Sequence, residues 1–244
     1  MKKLLGSLVL LSLVACSGST DQVGVSVRMG APRTGAATTR QQALTVATGL
    51  DITRVRMVIS RLDLRQEGED ETKEQEDLSK VEAGPFLVDL SSDALSGQIS
   101  QVLETSVAAG HYDKLEIKIH KVDDSKTQGD ARFADLVQKD ASVIVDGKID
   151  GADFTFVTSV DEKQERKAAF DVGTTAQNIT LNVDITKWFT GSNGQRLDPR
   201  ESSNRSAIEE NIKNSIDAFD DHDRDGAEDH DDDGSGSGDD SGGK

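Results

Sequence analysis

The chain has 244 residues and a net charge of −17, from 45 Asp and Glu against 28 Lys and Arg. Such an acidic surface repels nucleic acid and anionic headgroups, and it suits divalent cations or basic partners. A single cysteine leaves no internal disulfide to form, and seven Phe, one Trp and one Tyr are too few for aromatic platforms that grip sugars or bases.

At the N-terminus, Lys2 and Lys3 precede an apolar run from Leu4 to Val14 that only Gly6, Ser7 and Ser12 interrupt. A basic start and a short apolar core read as a secretory signal over residues 1–15. The run is too short to span a bilayer, which takes about 20 apolar residues. It ends in Leu13-Val14-Ala15-Cys16 followed by Ser17-Gly18. This ending resembles the bacterial lipobox, in which the cysteine carries a thioether-linked diacylglycerol. Cys16 is the expected lipidation site, with residues 16–21 as a tether to the membrane. A leftover cysteine in an exported chain needs a reason, and lipidation supplies one. The alternative is an ordinary signal peptide beside an incidental cysteine. Two or three acyl chains, at about 0.8 kcal/mol per buried methylene, anchor a protein durably. Ser17, where retained lipoproteins resembling this one carry aspartate, implies the outer membrane if the envelope is Gram-negative.

Residues 22–190 read as a mainly β domain. Val23 to Met29 alternates apolar and polar residues, as a half-buried strand does. Residues 30–48 read as a loop. In Ile52 to Leu64, Val55, Met57 and Ile59 share one face while Leu62 and Leu64 fall on the other, so a bulge or break is expected near Ser60. An acidic loop, Glu67 to Asp77, precedes a short buried strand over Phe86 to Leu90. Ile99, Val102 and Leu103 have helical spacing and predict a turn or two of helix. Tyr112 opens a strand carrying Leu115, Ile117 and Ile119, and it resembles the corner tyrosine of Greek-key sandwiches. Val143–Val145, Phe154–Val157, Ala168–Val172 and Ile179–Ile185 supply four more strands, with Asp-Gly pairs at 146–147 and 150–151 as turns. Short strands divided by turn signals, with little helix, point to a β-sandwich.

Residues 191–219 read as a linker and an amphipathic helix. Ser206-x-x-Glu209 has the form of a capping box, and Ile208, Ile212, Ile216 and Phe219 would form one stripe that must dock on the sandwich. Residues 220–244 hold eleven Asp or Glu against Arg224 and Lys244, and Ala227 is their only apolar side chain. That composition cannot build a core, so the tail is expected to be disordered without a ligand.

Within it, Asp221-His222-Asp223-Arg224-Asp225-Gly226 is followed by Asp229-His230-Asp231-Asp232-Asp233-Gly234. Alternating carboxylates closed by glycine make the oxygen cage that calcium prefers. In EF-hand register the ligands would be Asp221, Asp223, Asp225, the Ala227 carbonyl, Asp229 and Asp232. The closing position is an aspartate instead of glutamate, Glu228 replaces an apolar residue, and no exiting helix follows. The pattern therefore resembles the Asp-rich calcium repeats of extracellular proteins, with affinity on the order of 10⁻⁴–10⁻³ M. The alternative is a solvated tail that collects cations loosely. His222 and His230 are too outnumbered by carboxylates to favour a transition metal.

No Gly-x-Ser-x-Gly elbow, His-Glu-x-x-His or phosphate loop is present. His111 and His120 read as surface histidines, and the chain is not expected to be an enzyme. Gly84-Pro85-Phe86-Leu87-Val88-Asp89-Leu90, Ala109-Gly110-His111-Tyr112-Asp113, Ile179 to Asp184, Trp188-Phe189, Leu197-Asp198-Pro199 and Ile208 through Gly226 form an ordered set. That set resembles a group of bacterial lipoproteins with an immunoglobulin- or transthyretin-like β-sandwich, over most of residues 22–226. The resemblance implies the fold and the envelope location, and no activity. The expectation is a lipid-anchored, non-catalytic binding module for a protein, a glycan or a cation. A purely structural envelope component and a hydrolase with an unrecognised site are the alternatives.

Overall fold

The computed structural model describes residues 22–30, 43–66, 81–91, 95–106, 110–172 and 177–220. The protein is mainly β, and its sheets are open, not closed into a barrel. In chain order, β1 (Gln22–Gly30) precedes β2 (Leu44–Ala47) and the long β3 (Leu50–Gln66). β4 (Val81–Ala83), β5 (Phe86–Ser91), β6 (Ser96–Ser106) and β7 (Gly110–Ile119) follow. A helical excursion carries α1 (Asp124–Thr127), a 3₁₀ turn (Ala131–Phe133) and α2 (Ala134–Gln138). Then come β8 (Val143–Ile149), β9 (Ala152–Thr158), β10 (Glu162–Val172) and β11 (Gln177–Asp184). α3 (Arg205–Lys213) and β12 (Ile216–Asp220) close the described chain. All eight strands expected from the sequence are present, and β2, β4, β6 and β12 were not anticipated.

One sheet has the order β12-β11-β1-β6, in which β1 and β11 run parallel and the other pairs antiparallel. The other sheet is built around β3. On one edge β3 pairs in turn with β2, β5 and β4, and on the other with β8 and then β7. The change of partner from β8 to β7 falls between Met57 and Ile59, and just beyond it, at Ser60, the register slips between Ile59 and Arg61. This bulge is the phase break read in the sequence. An extra residue turns Leu62 and Leu64 back onto the face that Val55, Met57 and Ile59 occupy, and all five are buried in one cluster.

That cluster draws on both sheets, joining Ile179, Leu181 and Val183 of β11 to the β3, β7 and β8 side chains. Phe189 packs edge-on against Phe154 and Phe156, with ring centroids 6.0 and 6.1 Å apart. A second, smaller cluster lies on the opposite face of β3. There Val58 and Ile144 meet Phe133 and Leu136 of the helical excursion, so β3 is covered on both faces around Val58.

Several expectations need correction. Ile99, Val102 and Leu103 lie in β6, not in a helix. Opposite β6, Val25 pairs with Leu103 and Ser26 with Gln101, so Val102 has no opposite number. The bulge breaks the two-residue alternation and imitates helical spacing. Asp146-Gly147 is not a turn but part of β8. A Cβ on Gly147 would stand 2.3 Å from the Asp51 carbonyl oxygen, so glycine is there for close approach. Asp150-Gly151, by contrast, does form the β8–β9 turn, with φ of 51° and 81°.

The C-terminal helix docks as expected through Ile208 and Ile212, both wholly buried, but it ends at Lys213. Ile216 to Asp220 pair instead with β11 as an edge strand. Over so short a run Ile216-Asp217-Ala218-Phe219 fits either period, and the open edge of β11 decides by supplying backbone partners. The capping box does not form either. Ser206 sits inside α3, and Glu209 accepts from Thr158 Oγ1 at 2.8 Å and Arg205 Nη1 at 3.1 Å. Tyr112 is wholly buried as the third residue of β7.

Candidate functional site

Two polar clefts open along β3. The larger, about 510 Å³, lies where β3 and β5 meet the helical excursion, and Arg54, Arg56, Asp89, Arg132 and Asp135 line it. Strand pairing sets Arg54 opposite Asp146 and Arg56 opposite Asp89. The ion pairs cross this register. Arg54 donates from Nε (2.7 Å) and Nη2 (2.6 Å) to the two oxygens of Asp89. Arg56 donates from Nη2 to Asp146 Oδ2 at 2.5 Å and from Nη1 to Asp135 of α2.

A second hydrogen bond, from Thr155 Oγ1 at 2.7 Å, fixes the remaining oxygen of Asp146. The Arg56 side chain is only 7% exposed, and its Nε has no hydrogen-bond partner. The Arg54 guanidinium beside Asp89 holds that carboxyl below the usual aspartate value, and Asp89 in turn raises Arg54. At the rim Arg132 closes on Asp130, its own 3₁₀ cap, at 2.6 Å. Every arginine of this cleft is therefore already matched by carboxylates.

The smaller cleft, about 360 Å³, opens at the β3 bulge and is lined by Ser60, Arg61, Glu82, Gly84, Pro85, Lys118, His120 and Lys126. Gly84 has φ of +134°, and a Cβ there would lie 2.8 Å from the Ser60 carbonyl oxygen. Only glycine lets the β4–β5 corner close against the bulge. Arg61 is held by Asp63, which accepts from Nε at 2.8 Å and Nη2 at 2.6 Å. That contact raises Arg61. His120 Nδ1 faces Asp161 Oδ1 at 3.2 Å but lacks hydrogen-bond geometry. Lys118 and Lys126 form no ion pair among the described residues. In this cleft, unlike the first, cations remain unspent.

Cys16 and the calcium candidates Asp221, Asp223, Asp225, Asp229 and Asp232 fall outside the described residues. Among the described residues no group of three or more His, Cys, Asp or Glu could hold a metal ion, and no helix is long and apolar enough to cross a membrane. His111 is exposed as expected, whereas His120 is only partly so and belongs to the second cleft. Neither cleft was legible in the sequence. The one signal was the phase break at Ser60, since bulges often re-aim side chains beside sites.

No protein-family model, curated protein or solved structure matches this chain.

Proposed function

We propose that this chain is a lipid-anchored bacterial envelope protein that works as a non-catalytic binding module. The observation that carries the reading is Cys16, the chain's sole cysteine, at the end of a basic-then-apolar leader. Diacylglycerol on its sulfur would tether residues 16–21 to a membrane, with the β domain held in the aqueous phase beyond. We read the two sheets as the layers of a sandwich of the immunoglobulin or transthyretin kind. One apolar cluster shared by β3, β7, β8 and β11 supports that reading. The charged clefts beside β3 suit reversible recognition, in which fixed charges select a partner. The Asp-Gly tail is read as a calcium site through Asp221, Asp223, Asp225, Asp229 and Asp232.

Metabolic labelling with radioactive palmitate tests the anchor. Label on the wild-type chain that is absent from Cys16→Ser, with release of that variant from the membrane fraction, is the expected outcome. Equal labelling or equal membrane retention of the two would overturn it. Calcium calorimetry on the full chain tests the tail. Saturable heat should vanish in Asp221→Asn/Asp223→Asn/Asp225→Asn, and identical heats in both proteins would reduce the tail to a solvated brush.

A further inference from the structure

The outer face of β3, β7 and β10 is striped by charge. Arg61, Lys118 and Lys163 stand directly opposite one another on the three strands. One step along, Asp63, Glu116 and Glu165 do the same, with Glu82 of β4 beside Asp63. Like charges directly opposite one another destabilise a sheet, so each cationic row depends on neutralisation from the acidic row.

That neutralisation is uneven. Asp63 holds Arg61. Glu116, only 7% exposed at its side chain, takes Lys163 at 2.7 Å and lies 3.7 Å from Arg65. Glu165 takes Lys114 at 2.9 Å. Lys118, at the centre of the cationic row, is left with no carboxylate partner among the described residues. It lines the smaller cleft together with Lys126. Glu82, the one acid lining the cleft, lies 3.8 Å from Arg61 Nη1.

We propose that this cleft binds a phosphate group, with Lys118 and Lys126 as its charge partners and His120 and Ser60 at its margin. The inference rests on the reading of the domain as a binding module. The donors still available are ammonium groups, compact charges with three rotatable donors each, which suit a tetrahedral oxyanion. The Arg61 guanidinium is already committed to Asp63, so an incoming anion is met by the two lysines. A phosphate seated between the lysines removes the like-charge cost of the Arg61–Lys118–Lys163 row. The volume of about 360 Å³ leaves room for the group that carries the phosphate. That carrier could be a soluble ester or a lipid headgroup, and the two are separable by experiment.

Inorganic phosphate titrated into the full chain should give a saturable, salt-sensitive signal by calorimetry and by amide chemical shifts. Lys118→Gln/Lys126→Gln should weaken it at least about tenfold, and Lys118→Arg/Lys126→Arg should restore it, since arginine keeps the positive charge and also binds phosphate. Arg132→Gln, in the other cleft, should leave it unchanged. In a second arm the full chain carrying Cys16→Ser is sedimented with phosphatidylglycerol vesicles or phosphatidylcholine vesicles. Lysine-dependent sedimentation with phosphatidylglycerol alone identifies a headgroup, whereas binding of phosphate without vesicles identifies a soluble ester. No saturable binding in either arm, or binding unchanged in the double Gln variant with its circular dichroism intact, would overturn the proposal. Palmitate labelling of Cys16 and calcium heat at the tail read other atoms, so the failure of this site is distinguishable from failure of the module reading.

Discussion

Arg56 reaches Asp146 at 2.5 Å across the β3–β8 pair, although the residue directly opposite Asp146 is Arg54. Arg54 turns the other way, to Asp89, which itself stands opposite Arg56. Each arginine thus bonds the carboxylate that faces its neighbour, and the crossing ties β8, β3 and β5 together. Asp135 adds α2 to the same guanidinium.

Because Arg56 is buried and its partners are fixed, removing it is costly. Arg56→Met strands Asp146 with only the Thr155 hydroxyl and frees α2 from β3. Breaking a buried pair costs about 3–5 kcal/mol, and the half-exposed Asp135 brings the expectation down to about 2–3 kcal/mol. Urea denaturation measures it. Arg56→Met/Asp146→Asn should recover part of the loss, and a double variant as unstable as the sum of two singles would show that the pair is not coupled.

Trp188 is wholly buried and donates from Nε1 to Ser215 Oγ at 2.7 Å, while that hydroxyl donates to the Ile212 carbonyl at 2.6 Å. This relay pins the end of α3 to the core. Ser215→Ala leaves the indole N–H without its acceptor, and an unsatisfied buried donor costs about 1–3 kcal/mol. The thermal midpoint should fall accordingly, and Trp188 fluorescence should report a changed environment.

Gly147→Ala places a methyl group 2.3 Å from the Asp51 carbonyl oxygen and 2.8 Å from the Phe154 ring. Two strands and a core aromatic would have to move apart. Overpacking of this kind costs about 1–3 kcal/mol. Ala at Gly151, where a Cβ meets nothing within 4 Å, should cost less even though φ is +81°. Equal midpoints in guanidinium chloride for the two variants would contradict the close approach.

The Arg54–Asp89 pair also sets a pH dependence. Asp89 has its folded-state value depressed below 3.8 by the hydrogen bond from Arg54. A depressed carboxylate contributes stability that is present above its unfolded value and is lost as pH falls through the folded one. Asp89→Asn should therefore flatten the stability profile below about pH 4 and leave its shape unchanged between pH 6 and 8. Denaturation midpoints across that range provide the check. A profile that keeps the wild-type acid slope would assign the dependence to other carboxylates.

How far the fold can be read from the sequence depends on the element. Ile179, Leu181 and Val183 alternate cleanly because one face of β11 meets the core, so the strand is legible residue by residue. The slip at Ser60 is legible for the same reason, as a change of phase between Ile59 and Leu62. β6 was not legible, because the bulge at Val102 falsifies the period. The clefts left no local signature at all. Arg54 and Asp89 are 35 residues apart, and Arg56 and Asp146 are 90 apart.

The sequence by itself determined the mainly β character, the bulge in β3, the Asp150-Gly151 turn and the docking face of α3. Each follows from local chemistry: a period, a phase, a left-handed turn pair, or an apolar stripe. The tertiary structure alone decided that Ile216 to Asp220 extend as an edge strand, because the backbone of β11 offered hydrogen-bond partners that a helix would have left unused. It alone decided which charges were spent and which were left over. Lys118 and Lys163 look alike in the sequence, yet β10 brings Lys163 to Glu116 while Lys118 stands between two cations. Coulomb energy depends on distance in space, and only the folded register sets that distance.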